Sequence, residues 1–210
     1  MNEVVLYDYW RSSASYRVRI ALNLLGVAYQ TVSINLLEGA HKTPEYLALN
    51  PQGLVPTLVI DGKTLTQSLA IIEYLAELRP ECGLLPRDIA DRQKVRALAY
   101  VVAMDIHPIC NLHVVSYIMT LTDKADAREE WMKHFIADGL RKLEAMIGEF
   151  DRAFSFGDTP TMADLCLVPQ VYNARRWGVD MAAFRRIADI DTRCADIPAF
   201  QAAHPDRVKP

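Results

Sequence analysis

The run Arg11-Ser12-Ser13-Ala14-Ser15-Tyr16-Arg17-Val18-Arg19 holds the residue types best placed to do chemistry in this chain. It follows an apolar stretch, Val4 to Tyr7, that predicts a strand, and it opens a segment with Val18, Ala21, Leu22 and Leu25 at helical spacing. Hydroxyls therefore meet a helix N-terminus, where backbone N–H groups lack intrahelical partners and the dipole end is positive. Such a place suits an anion, and a thiolate is an anion. The plain alternative is capping, for which Ser is a favoured residue. One cap needs one Ser, and here Ser12, Ser13 and Ser15 fall within four positions. These residues alone leave function and capping evenly matched.

Three other places could contribute. Leu54-Val55-Pro56-Thr57-Leu58 sets a proline at the entrance to a strand. A cis bond there would turn the Val55 N–H and C=O outward to pair with an extended peptide. The local residues favour a plain strand-start proline instead. Gln67-Ser68 precedes a helix, and Ser68 is a plausible N-cap whose first-turn N–H groups could hold a carboxylate. Arg175 and Arg176 are adjacent in a late helical segment. Arginine suits bidentate carboxylate binding, although such a pair is most often surface charge. Thr161-Met162-Ala163-Asp164 is close to a capping box, a folding signal rather than a catalytic one.

The elements that must position these residues fall into two groups. Val4–Tyr7 (strand), Ala14–Leu25 (helix, stopped by Gly26) and Tyr29–Leu36 (a half-buried alternating strand) come first. A polar loop with a short helix spans 37–53; a hairpin turning at Asp61-Gly62 and a helix ended by Pro80 follow. That order predicts an α/β layer with a mixed four-stranded sheet over residues 1–80. Residues 81–88 read as a linker, and 89–210 as an all-helical domain. In the latter, a long segment over 89–121 is kinked at Pro108, and a second runs over 129–150. Further helices begin near Thr161 and Pro198.

Bulk properties narrow the functional classes. The 210 residues carry 23 basic and 26 acidic side chains, a net charge of −3, which argues against nucleic acid and anionic membranes as partners. No apolar run is long enough to span a bilayer, and the N-terminus lacks signal-peptide character, so the cytoplasm is expected. Cys82, Cys110, Cys166 and Cys194 are scattered, as are the five histidines, so neither a disulfide framework nor a metal site is expected. The sequence contains no nucleophile elbow, phosphate loop, dinucleotide fingerprint or zincin motif.

Taken in order, Ser12 to Leu22, Asn50 to Leu58, Gln67 to Leu75, Asp105-Ile106-His107-Pro108, Gly157 to Val171 and Asn173-Ala174-Arg175-Arg176 resemble the zeta-class glutathione transferases over nearly the whole chain, and within them the bacterial maleylacetoacetate isomerases. The resemblance implies a thioredoxin-like N-terminal domain, an all-α C-terminal domain, glutathione as cofactor, a small dicarboxylate substrate and a homodimer. It implies a cis bond before Pro56, reversing the local reading. It assigns Ser12 and Ser13 to the glutathione sulfur, with Ser12 the preferred donor, and Val55 to a backbone clamp. Gln67 and Ser68 take the γ-glutamyl end, His107 and Asn111 line the glutathione side of the helical segment, and Arg11, Arg176 and position 113 take substrate carboxylates, with Arg11 also catalytic. The implied activity is conversion of maleylacetoacetate to fumarylacetoacetate by thiolate addition, bond rotation and elimination.

The chain departs from the family pattern at four places. Ala14 stands where the motif has cysteine, and Tyr16 where it has tryptophan. Cys110 replaces an asparagine and His113 an arginine of the bacterial relatives. The change at 113 keeps open a maleylpyruvate isomerase, or another zeta-class transferase or dehalogenase. A non-catalytic glutathione- or partner-binding protein is the reading from another class, opposed by the intact Ser12, Ser13, Gln67 and Ser68.

Overall fold

The computed structural model describes residues 3–148 and 152–210. The chain divides into two compact units, residues up to Cys82 together with Ala195–Pro210, and Gly83–Cys194.

In the first unit β1 (Val5–Asp8), β2 (Gln30–Ser33), β3 (Thr57–Ile60) and β4 (Lys63–Thr66) form one mixed sheet in the order β2-β1-β3-β4. β1 and β2 are parallel, and the other pairs are antiparallel. Helices α1 (Ser13–Leu24), α2 (Pro44–Leu49) and α3 (Ser68–Leu78) complete the layer. Leu6, Ile20, Leu58, Ile71 and Ile72 form its core, all fully buried. Asp61 and Gly62 both take positive φ, 49° and 72°, as the tight β3–β4 hairpin requires. The second strand is shorter and more exposed than its alternation predicts. β2 lies at the sheet edge, and of its apolar series Val32 is exposed while Ile34, just past its end, is buried.

The register decides what meets at one end of this sheet. β1 pairs with β3 through Tyr7↔Thr57, and β3 with β4 through Thr57↔Thr66. Continuing both registers sets Val55 opposite Tyr9 and Pro56 opposite Gln67. The turn into α1, the segment before β3 and the turn into α3 are thus neighbours.

A buried ion pair braces that end. The Arg19 guanidinium, 1% exposed, donates to both Asp8 carboxylate oxygens at 2.7 and 2.8 Å, to the Trp10 carbonyl at 3.0 Å and to the Ala203 carbonyl at 3.0 Å. The last bond corrects the expected domain limit at 210. Helices α9 (Pro198–Ala203) and α10 (Pro205–Val208) belong with the first unit, because α9 packs on α1 and Asn23 also donates to the Ala199 carbonyl.

The second unit contains α4 (Ile89–Tyr100), α5 (Leu112–Ile118), α6 (Ala127–Gly148), α7 (Met162–Arg176) and α8 (Arg185–Ala195), whose last residue falls past the unit's end. The expected linker is partly structural here: Leu84 is buried, and its carbonyl accepts from the Met162 N–H at 2.9 Å. The expected 89–121 helix is broken earlier than at Pro108. Val101–Ile106 widen into a π-helical turn, closed by a bond from the His107 N–H to the Val102 carbonyl. α6 passes close by at Gly139, where a Cβ would lie 2.3 Å from Ile106 Cγ1. The 129–150 prediction matches α6 as far as Gly148; 149 and 150 lie outside the described residues. The Asp164 carboxylate accepts from the Thr161 N–H at 2.7 Å, the Thr161 hydroxyl at 3.1 Å and the Ser155 N–H at 2.8 Å, so the capping motif is built as expected. α8 was not anticipated, although Ile187, Ile190 and Cys194 carry its buried spacing.

Candidate active site

Ser12 is the N-cap of α1, with extended backbone (φ −68°, ψ 121°), and its Oγ accepts from the Ser15 N–H at 3.2 Å. The cap uses the hydroxyl as an acceptor, and its proton is left to donate. Ser13 is the first helical residue and half-buried. Capping and ligand binding are thus compatible in one residue. Arg11, also half-buried, places its guanidinium 5.4 Å from the centre of the Trp10 ring. The Ser12 N–H to Tyr9 carbonyl bond, 2.8 Å, closes the turn that carries all three.

The Val55-Pro56 bond is cis, as the resemblance implies and contrary to the local reading. Val55 lies just before β3, so its N–H and C=O stand outside the sheet ladder. A network that the sequence reading missed holds this segment. The Tyr46 hydroxyl donates to the Leu54 carbonyl at 2.6 Å and meets Thr57 Oγ1 at 3.0 Å. Asn50 Nδ2 donates to the same two acceptors at 2.8 and 3.2 Å. Burial pushes the Tyr46 hydroxyl above its ordinary pKa, so it stays a donor at neutral pH. Its signal was a tyrosine directly before Leu47-Ala48-Leu49 in a stretch otherwise read as polar.

At the third element the expected cap is corrected. Gln67, not Ser68, is the N-cap of α3, and Ser68 is its first helical residue. Gln67 takes φ 66° and makes no side-chain cap bond; its Nε2 donates instead to Gln52 Oε1 at 3.0 Å. This left-handed backbone at a non-glycine is a strained conformation of the kind kept at ligand sites. It leaves the first N–H groups of α3 uncapped by any side chain. Ser68 is buried, and its Oγ accepts from Arg17 Nη1 at 3.2 Å. Arg17, itself 2% exposed, stood inside the opening motif without a role.

The remaining candidates belong to the second unit. His107 follows the π-helical turn and is half-buried. Asn111 is the N-cap of α5 and makes no side-chain cap bond; His113, two residues on, is exposed. Cys110, just before Asn111, is half-buried, and burial pushes its thiol up to about 11. A thiol so raised is neutral at physiological pH and a poor nucleophile. The two arginines at the end of α7 differ. Arg175 is tied to Asp191 at 2.6 Å, whereas Arg176 is exposed, with a 3.4 Å bond to Asn173 Oδ1. No group of three or more His, Cys, Asp or Glu suited to a metal occurs among the described residues.

The family model described as glutathione S-transferase, N-terminal domain, matches residues 2–77, and that described as glutathione S-transferase, C-terminal domain, matches 125–202. The chain belongs to the glutathione S-transferase family. It is 65% identical over 211 residues to the maleylacetoacetate isomerase of Rhizobium meliloti (strain 1021), covering 100% of this chain and 99% of that one. It is also similar to a holo structure of a maleyl pyruvate isomerase, a bacterial zeta-class enzyme, with a TM-score of 0.94, 42% identity and 98% of each chain covered. A maleylacetoacetate isomerase from Anaeromyxobacter dehalogenans 2CP-1, solved with dicarboxyethyl glutathione and citrate in its active site, matches with a TM-score of 0.87 at 42% identity. That match covers 99% of this chain and 96% of the other. These likenesses place the transferase described here in the zeta class. No helix among its described residues is long and apolar enough to cross a membrane.

Proposed function

We propose that this transferase is a glutathione-dependent isomerase that converts maleylacetoacetate to fumarylacetoacetate. The reading is carried by its 65% identity, over the full chain, to a maleylacetoacetate isomerase. The site chemistry supports it. A hydroxyl donor on a helix N-terminus, a backbone amide outside the sheet ladder and an uncapped second helix N-terminus suit, in turn, a thiolate, a peptide unit and a carboxylate, the groups that glutathione carries.

Bound glutathione supplies the nucleophile: its thiolate adds to one carbon of the maleyl double bond, the resulting single bond turns, and loss of the thiolate gives the fumaryl isomer. The chain's task is to keep that sulfur ionised. A free thiol has a pKa of ~8.5, and lowering it by two units requires ~2.7 kcal/mol. The Ser12 hydroxyl and the α1 dipole, at roughly 1 kcal/mol or more each, are of the right size together. Ser13 flanks that hydroxyl, and Val55 clamps the cysteinyl unit through its backbone. Gln67 and Ser68 hold the γ-glutamyl end, while His107 and Asn111 contribute from the helical unit. Arg11 stabilises the charge that develops on the substrate oxygen and, with Arg176 and His113, binds its carboxylates. The protein acts as a homodimer in the cytoplasm.

A second reading, a maleylpyruvate isomerase, is favoured by the TM-score of 0.94, at 42% identity, to a maleyl pyruvate isomerase. An ultraviolet assay with and without glutathione, run on both maleyl acids, separates the two. Glutathione-dependent loss of maleylacetoacetate supports the first reading. Turnover of maleylpyruvate alone supports the second, and turnover of neither rejects both.

A further inference from the structure

Arg17 is buried in α1, yet its guanidinium reaches across to α3 and donates to Ser68 Oγ at 3.2 Å. A guanidinium has only donors, so the oxygen of Ser68 must accept from it. The hydroxyl proton of Ser68 is then directed to a different partner. That partner must be an acceptor, and it lies beside the first N–H groups of α3, which no side chain caps because Gln67 holds a positive φ and turns its amide to Gln52. The first N–H groups of α3 and the Ser68 hydroxyl offer donors there, and the buried Arg17 guanidinium stands behind Ser68.

We propose that Arg17 is the positioning residue that fixes the polarity of the Ser68 hydroxyl, and so makes the α3 end of the site selective for a carboxylate. This deepens the glutathione reading and rests on it: the carboxylate is the free α-carboxylate of the γ-glutamyl unit. Arg17 acts through Ser68, without touching the reacting sulfur. Removing it frees the Ser68 hydroxyl to reverse, and a neutral ligand end then becomes as acceptable as an anionic one. The sulfur end is held by Ser12 and keeps its ionisation.

The test measures binding of glutathione, and of an analogue with that α-carboxylate converted to an amide, by titration calorimetry. Wild type should bind glutathione at least tenfold more tightly than the amide, about 1.4 kcal/mol. Arg17→Met should weaken glutathione about tenfold and leave the amide unchanged, with Arg17→Lys between the two. At saturating glutathione, kcat and the pH midpoint of thiolate absorbance should stay within about twofold and a few tenths of a unit. A Ser68→Ala/Arg17→Met double variant should bind no worse than Ser68→Ala. Equal glutathione binding by wild type and Arg17→Met would overturn the proposal, as would a fall in kcat without a change in affinity. If Arg17→Met does not fold, Ser68→Ala decides: its carboxylate preference should fall about tenfold, and an unchanged preference overturns the route through Ser68. Failure of wild type to bind glutathione at all would instead reject the underlying functional reading.

Discussion

Replacing Ser12 separates its two roles. Its Oγ accepts from the Ser15 N–H at 3.2 Å, so Ser12→Ala removes a helix cap as well as the proposed donor to the thiolate. Loss of a serine cap to alanine costs about 1 kcal/mol, but loss to glycine only a few tenths. Loss of a hydrogen bond to a charged group costs about 1.5 kcal/mol or more in either variant. Both variants should therefore raise the pKa of the bound thiol by about one unit, since one unit is 1.36 kcal/mol. If the bound thiol begins two units below its free value, near ~6.5, the thiolate fraction at pH 7 falls from roughly three quarters to roughly one quarter. Turnover at pH 7 should drop about threefold or more and partly recover by pH 9. Thiolate absorbance against pH reads the first effect, and thermal melting the second. Stability should fall clearly in Ser12→Ala and barely in Ser12→Gly, while the thiol shift is the same in both. A thiol shift seen in Ser13→Ala and absent from Ser12→Gly would refute the assignment.

The buried Asp8–Arg19 pair should be costly to break from one side. Asp8→Asn or Arg19→Met is expected to lose about 3–5 kcal/mol, seen as a melting point roughly 10 °C lower. Cys110 is expected to resist iodoacetamide at pH 8 in the native protein, as followed by peptide mass spectrometry, because burial holds its thiol protonated up to about 11. The same shift fixes a sign. The unfolded chain loses this proton first, so folding loses stability as pH rises from 9 towards 11, and Cys110→Ser should flatten that loss in alkaline denaturation curves. Arg11→Met should lower kcat and raise KM for the maleyl acid. Arg176→Met should raise KM alone, and unchanged steady-state kinetics in both would remove them from the substrate site.

Features set by local chemistry could be read from the residues. Asp61-Gly62 announced its hairpin because both positions need positive φ, and Gly26 marked the end of α1 for the same reason. The serines at the α1 start were legible as capping residues, and Ser12 is the N-cap. What escaped was imposed from a distance. Gln67 is not a residue type that favours positive φ, so the sequence pointed to Ser68 as the cap, and the positive φ falls one residue earlier. Val101–Ile106 have the composition of an ordinary helix; a close α6 backbone at Gly139 accompanies their widening to a π-helical turn. β2 has the right alternation, but its edge position, which no local pattern encodes, leaves it exposed. Arg17 and Arg19 look solvent-facing by type, and only their partners on β1, α3 and α9 reveal buried guanidinium groups.

Those buried arginines also resolve an apparent conflict between charge and substrate. A chain of net charge −3 is proposed to bind a tripeptide with two carboxylates and then a dicarboxylate. Net charge acts over distances that salt screens within about 10 Å, whereas the binding ends are set at contact distance. Ser12 accepts from a helix N–H and Ser68 from a guanidinium, so in the proposed site each hydroxyl keeps its proton to donate to a ligand. Each also sits at the positive end of a helix of eleven or twelve residues. In the proposed site anions are then favoured because each hydroxyl keeps a proton to donate beside a positive helix end. For that a guanidinium inside the protein is more effective than one on its surface, because it is screened less and cannot be turned away.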